Sequence, residues 1–253
     1  MSDLHVHRYG NPDAPPLVLV HGLTDDGTCW PDAVERWRDT WQIISIDQRG
    51  HGRSPRFTED QYGDSPAILR DDLSKVLSGL AQPAIVVGHS LGGLVAARSA
   101  QSHPELVRAL VLEDPAKPSG RNRPSRTFSR GQLEFVEAVT ADPEAEVTRM
   151  RAETPWSESE LAAWAPAKAR VDRGYLAHGL YLGDAAWETM FDGLRVPTLI
   201  VGPVGGEMLP DASLIANPLV SVIEVPDAGH CVRRDAPAAF HAVVDRFLEQ
   251  HRP

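Results

Sequence analysis

Ser90 stands in Ile85-Val86-Val87-Gly88-His89-Ser90-Leu91-Gly92-Gly93-Leu94, a β-branched apolar run, a serine boxed by glycines, then small residues in a helical pattern. The pattern predicts a strand, a sharp turn and a helix. Gly88 and Gly92 fit G-x-S-x-G, in which a serine sits on strained backbone above a sheet and only small flanking residues allow the turn. Helix start and nucleophile then coincide, so the Leu91 N–H lies where unpaired amides and the positive dipole end stabilise an oxyanion. A hydroxyl is a poor nucleophile at neutral pH. It needs a base within hydrogen-bond reach and donors for the oxyanion, which the remaining elements must supply.

Those elements come in order. Leu4 to Tyr9 alternates like an edge strand, and Leu17-Val18-Leu19-Val20 is a continuous apolar run suited to a strand buried on both faces. It runs into His21-Gly22-Leu23-Thr24, a tight loop at a strand's C-terminal end that offers a second amide, Leu23. A helical stretch from Pro31 to Trp37 precedes the strand Ile43-Ile44-Ser45-Ile46. In the glycine-rich turn after it, Asp47 and Arg49 read as structural. Asp64-Ser65-Pro66 opens a helix with Leu69, Leu73, Val76, Leu77 and Leu80 on one face. After the serine's helix, Leu110-Val111-Leu112 is a strand with Glu113-Asp114-Pro115 at its exit. Strand texture resumes at Pro197–Val201 and Val220–Val225. Gly229-His230 follows, and a last helix opens at Asp235-Ala236-Pro237.

Between these blocks, 116–195 carries helix starts at Asp142-Pro143 and at Ser157-Glu158-Ser159-Glu160, with no strand-like run. The expected organisation is an α/β core from 1–115 and 196–253, with 116–195 inserted as a helical cap over the strand ends. Trp156, Trp164, Tyr175, Tyr181, Trp187 and Phe191 fall in that cap, as does His178. Trp156, Trp164, His178, Trp187 and Phe191 are the expected substrate contacts, beside an alternative reading of the rings as the cap's own small core.

With 253 residues, 42% of them hydrophobic, the chain can bury a substantial core. A net charge of -10 supplies no phosphate-seeking field, which argues against nucleic acid or anionic membrane as a partner. The opening residues lack a signal-peptide pattern and no apolar run approaches a membrane span, so a cytoplasmic protein is expected. Cys29 and Cys231 have no metal-ligand spacing and read as reduced thiols, both placed near the mouth of the site; no metal or cofactor is called for.

His21-Gly22 after an early strand, Gly88-His89-Ser90-Leu91-Gly92 after a middle one and Gly229-His230 before the last helix together resemble the α/β-hydrolase fold family, over nearly the whole chain. The resemblance implies a doubly wound, mostly parallel sheet, a cap inserted after the sixth strand, and a Ser-acid-His site at the strands' C-terminal ends. It makes His230 the base. Family members with an aspartate at the elbow, the haloalkane dehalogenases and epoxide hydrolases, are disfavoured by Ser90. The acid usually follows the seventh strand, but there this chain reads Gly202-Pro203-Val204-Gly205-Gly206-Glu207, with Gly206 in the expected place. A second family pattern puts the acid after the sixth strand, where Asp114 stands. Asp114 is preferred, with Glu207 next and Glu113 or Asp211 behind it.

The resulting expectation is a serine hydrolase acting on an apolar carboxylic ester or lactone. Ser90 attacks, His230 moves the proton, Asp114 orients His230, and the Leu23 and Leu91 amides hold the oxyanion. Carbon–carbon bond hydrolysis, cofactor-free perhydrolysis and a hydrolase-like ligand receptor are the alternatives that keep the same residues. The oligomeric state is not legible.

Overall fold

The structure, a computed structural model, describes residues 4–118, 126–183 and 186–253. Seven strands form: β1 (Val6–Tyr9), β2 (Pro16–Val20), β3 (Gln42–Ile46), β4 (Ala84–His89), β5 (Val107–Glu113), β6 (Thr198–Pro203) and β7 (Val220–Val225). They pair into one sheet in the order β1-β3-β2-β4-β5-β6-β7, parallel except where β1 runs antiparallel to β3 at the edge. Counted in this chain, the strand leading into Asp114 is therefore the fifth and the one before Glu207 the sixth.

Helices α1 (Pro31–Trp37), α2 (Ser65–Ser78) and α3 (Leu91–Ser102) precede β5. Between β5 and β6 come α4 (Arg126–Ala141), α5 (Pro143–Glu153), α6 (Glu158–Lys168), α7 (Arg173–His178) and the single turn α8 (Trp187–Met190). The last two are α9 (Val232–Asp235) and α10 (Pro237–Gln250). Asp142 caps α5 by accepting from the Ala145 N–H at 3.0 Å, and Ser157 caps α6 by accepting from the Glu160 N–H at 3.2 Å, as their sequence signals predict. Residues 119–125 and 184–185 of the expected insertion, and the opening residues 1–3, lie outside the described residues.

β2, β4 and β6 are buried at every position because helices cover both faces, so no polar side is left to alternate with the apolar one. Side chains one residue apart serve opposite layers. Val18, Val20, Ile44, Ile46 and Val86 share a core with α2 and α3, whereas Leu17, Leu19, Ile43, Ile85 and Val87 share one with α1 and α10. The sheet thus fixes β4, β5 and β6 side by side, and their C-terminal ends bring 90, 114 and 202 together.

Two of the expected substrate contacts turn out to be core. Trp187 and Phe191, ring centroids 5.0 Å apart, are buried in the same cluster as Leu94, Ala97 and Ile200. His178 stacks on Tyr62 at 4.8 Å, outside the cavity described below. Aromatic spacing in a sequence marks an apolar face. It does not say whether the sheet or a ligand will cover that face.

The turn after β3 is structural, as expected. Asp47 accepts from the Gly27 N–H (2.7 Å), the Arg53 N–H (2.8 Å) and His7 Nε2 (2.9 Å), and Arg49 pairs with Asp72 at 2.7 Å. In the same turn, His51 is fully buried and donates from Nδ1 to the Arg49 carbonyl at 3.0 Å, with its ring 5.0 Å from that of His21. Burial, reinforced by His21, lowers its pKa from 6.5 to about 3. The folded protein therefore holds His51 neutral where the unfolded chain would protonate it, and stability is lost as pH falls below 6.5 towards about 3. Between pH 6.5 and 5 the cost from this group reaches at most about 2 kcal/mol. Thermal melts at the two pH values should record it, with a smaller pH dependence in His51→Asn.

Candidate active site

β4 ends at His89, and Ser90 adopts φ 50°, ψ −116° before α3 begins at Leu91. That is a strained region for a side chain with a Cβ, and it persists because both peptide groups are tied down. The Ser90 N–H donates to the Glu113 carbonyl and the Ser90 carbonyl accepts from the Ala116 N–H, each at 2.9 Å. The flanking glycines are sterically required: a Cβ at Gly92 would lie 2.1 Å from the Val20 carbonyl oxygen, and one at Gly88 would lie 2.5 Å from that of Gly92.

Asp114, at the exit of β5, also takes a left-handed φ of 37° and donates its N–H to the Val201 carbonyl of β6 at 2.8 Å. Its Oδ2 accepts from His230 Nδ1 at 2.6 Å. A carboxylate only accepts, so Nδ1 carries a proton, and in the neutral ring Nε2 is then the acceptor. A Cβ at Gly202 would lie 3.3 Å from Asp114 Oδ1, so the glycine on β6 leaves this carboxylate its space.

The competing acids are placed elsewhere. Glu207 is exposed at the cavity, and Asp211 accepts from the N–H and hydroxyl of Ser213 in its own turn. Glu113 points away from the serine: Oε1 accepts from the Arg233 N–H at 2.7 Å and Oε2 from its guanidinium at 3.0 Å. Burial pushes the Glu113 carboxyl up while Arg233 opposes the shift. This buried pair ties the strand end before Asp114 to the segment after His230.

His89, the residue before Ser90, lies with its ring 4.7 Å from that of His230 and borders the same cavity as Ser90. It donates from Nε2 to the His230 carbonyl at 3.0 Å, and burial, with His230 and Arg233 nearby, holds its pKa well below the ordinary imidazole value. It is a neutral support for the base's loop.

Ser90, His230, Leu91, Leu23, Trp156 and Trp164 all border one cavity of about 730 Å³. His178, Trp187 and Phe191 do not. Sequence reading missed Phe135, Met150 and Leu180 among its apolar walls, and Asp25, Lys168 and Arg234 among its charged ones. The one available signal was the run Arg233-Arg234 shortly after His230, since cations that the fold buries demand buried acids.

The thiols divide: Cys231 borders the cavity, whereas Cys29 is fully buried and does not. Burial raises Cys231 to about 11 and Cys29 to about 12, so neither is a thiolate at neutral pH. Among the described residues, His5, His7 and Asp47 bring potential metal-ligand atoms within 4.8 Å. The Asp47 oxygens there already accept from Gly27, Arg53 and His7, which is the chemistry of a fastened turn. No helix among the described residues is long and apolar enough to cross a membrane.

This geometry has known relatives. Residues 17–243 match the model of the alpha/beta hydrolase family. Lipase LipV of Mycobacterium tuberculosis is 36% identical over 62% of this chain, and the matched stretch spans 57% of the lipase, little more than half its length. A 2-(acetamidomethylene)succinate hydrolase of Mesorhizobium japonicum is 26% identical over 97% of this chain and 91% of its own. The crystal structure of the esterase RhEst1 from Rhodococcus sp. ECU1013 superposes with a TM-score of 0.71 at 22% identity, covering 98% of this chain and 95% of that one. With its elbow serine, parallel sheet and family match over most of its length, the chain belongs to the alpha/beta hydrolase family.

Proposed function

We propose that the protein is a serine hydrolase that cleaves an apolar carboxylic ester or lactone through an acyl-enzyme on Ser90. The observation that carries this reading is the 2.6 Å bond from His230 Nδ1 to Asp114, on one wall of the cavity that Ser90 also borders. In this reading His230 Nε2 takes the Ser90 proton as the hydroxyl adds to the carbonyl, then returns it to the leaving alcohol; water repeats the cycle to release the acid. The Leu23 and Leu91 N–H groups receive the negative oxygen. The inserted helices act as the cap, with Phe135, Met150, Trp156 and Trp164 forming its apolar surface.

Substrate polarity follows from what the cavity's charges already do. Lys168 and Arg234 are ion-paired to Asp25, and Arg234 also to Glu160. Their charge is spent inside the protein, the other basic and acidic residues of the lining, Lys117 and Glu207, are one of each sign, and carbon dominates the rest. A dicarboxylate of the kind named for the Mesorhizobium relative would find less to bind here than an uncharged ester or lactone of similar size.

A panel of uncharged esters and lactones of graded acyl size, with charged counterparts, tests the proposal through steady-state turnover. Sustained hydrolysis favouring the bulky neutral members is expected. Turnover of a carbon–carbon substrate alone, or one stoichiometric burst accompanied by a thermal shift, would replace the ester reading with another chemistry or with a receptor.

Two aromatic truncations separate the cavity wall from the core. Trp164→Ala should raise KM for bulky esters by on the order of 10-fold, since one apolar contact of this size is worth about 1–3 kcal/mol in a pocket, and should also lower stability, because the ring is buried against Val139 and Ala165. Phe191→Ala should cost about 3–5 kcal/mol of stability and leave the KM of folded enzyme unchanged. Melting curves and KM measured on both variants check the contrast.

A further inference from the structure

Charged side chains are buried where the inserted helices meet the loop after β2, and the proposed mechanism does not use them. That loop turns sharply. The Asp25 N–H donates to the Gly22 carbonyl at 3.3 Å, and Thr24, between Leu23 and Asp25, takes φ 69°. The left-handed region disfavours a β-branched residue more than most, so a threonine stays there only if its surroundings impose it. The chain before the turn is anchored: His21 donates from Nδ1 to the Gly22 carbonyl at 2.8 Å and accepts at Nε2 from the Gln48 N–H at 3.0 Å. The chain after the turn is anchored from the core at Gly27, whose N–H donates to Asp47 and whose carbonyl accepts from Ser45 Oγ at 2.8 Å, and at residues 24 and 25 from outside the core.

The anchor is the last residue of α6. Lys168 Nζ donates to the Thr24 carbonyl at 3.1 Å and to Asp25 Oδ1. The other Asp25 oxygen accepts from Arg234 Nη2 at 3.0 Å, and Arg234 Nε donates to Glu160 Oε2 at 2.6 Å, also on α6. Lys168 and Arg234 are buried, at 1% and 3% exposure, so this lattice is not an exposed ion pair. Burial alone would raise the Asp25 carboxyl; Arg234 and Lys168 reverse that and hold it well below the usual carboxylate range. A fixed charge is thus maintained beside the turn at neutral pH.

We propose that Lys168 is a positioning residue for catalysis: from the inserted helix it holds the Thr24 carbonyl and Asp25, and so fixes the strained turn that aims the Leu23 N–H at the oxyanion. The inference rests on the serine-hydrolase reading. It makes the inserted domain part of the oxyanion site as well as a substrate wall, and ties that site to the segment after His230 through Arg234. Without Nζ the turn relaxes and the donor moves, and misplacements of about 1 Å at a reacting centre cost on the order of 100-fold.

The test compares wild type, Lys168→Met, the double variant Asp25→Asn/Lys168→Met and Arg170→Gln. The double variant removes the carboxylate oxygen that Lys168→Met would leave buried without its partner, Arg234 holding only the other oxygen, which keeps a folded protein to measure. Arg170 pairs with Asp26 at 2.7 Å just beyond the same helix, so its variant loosens helix docking without touching the Thr24 carbonyl. The readouts are the rate of Ser90 labelling by a fluorophosphonate and the hydrogen exchange of the 22–25 amides. Expected are a 10- to 100-fold slower maximal labelling rate in both Lys168 variants with an unchanged half-saturating concentration, faster exchange at 22–25, and Arg170→Gln within twofold of wild type. Labelling at the wild-type rate in folded Lys168→Met or the double variant would overturn the inference. If the wild type itself is not labelled at Ser90, the serine-hydrolase reading fails separately. The exchange data then decide: wild-type protection of 22–25 in the Lys168 variants refutes the anchor, and lost protection upholds it.

Discussion

Asp114→Asn is expected to lower kcat by about 10⁴-fold with the fold intact. The substitution keeps the shape of the side chain and removes its charge. An amide facing His230 Nδ1 can offer its NH₂, which selects the tautomer with the proton on Nε2, the nitrogen that must receive the serine's proton. Nothing in the backbone has to move, because the Asp114 N–H bond to Val201 at 2.8 Å involves no side chain. Glu207→Gln should leave kcat within a few-fold, since Glu207 is exposed and His230 Nδ1 is already taken at 2.6 Å. Measuring kcat for both on one ester, with melts as the folding control, checks the assignment. The reverse pattern would move the acid to the loop after β6. Two small effects would leave Ser90 and His230 without an orienting carboxylate.

Ser90→Ala should reduce turnover by on the order of 10⁶-fold, to the level that oxyanion donors and binding alone sustain. The change removes one oxygen. Ser90 is 8% exposed at the cavity and its recorded hydrogen bonds are made by its N–H and carbonyl, which alanine retains. The melting temperature should stay close to that of the wild type, and ester binding should survive. Turnover of purified Ser90→Ala at the wild-type rate would mean that the chemistry happens elsewhere. Because Asp114→Asn and Ser90→Ala disable members of one unit, the double variant should be no slower than Ser90→Ala alone.

What the sequence determined by itself was whatever is local or periodic. The runs at 17–20, 43–46 and 85–88 are strands because β-branched and aliphatic residues dominate them and leave no polar face to give to solvent, while 220–225, with Ser221 and Glu224, is the half-exposed strand at the sheet edge. Gly88 and Gly92 mark the elbow because no other residue clears the backbone oxygens beside it. Asp142 and Ser157 start helices because their side chains satisfy the first free N–H groups. The order of serine, acid and histidine along the chain then pointed to the family.

Tertiary structure alone decided which partners meet. The Asp114 carboxylate reaches His230 because only β6 separates β5 from β7 in the sheet, so the loops leaving β5 and β7 meet, and the distance between two loops is not written in the spacing of either. It also divided the aromatics. Trp164 and Phe191 look alike in an amphipathic stretch, yet one faces the cavity and the other the sheet core, since apolar burial has no direction and either surface satisfies it. The lattice of Asp25, Lys168, Arg234 and Glu160 was hidden for a related reason. Each residue reads locally as a solvated charge, and only the fold, by burying three distant segments against one another, obliges their charges to pair.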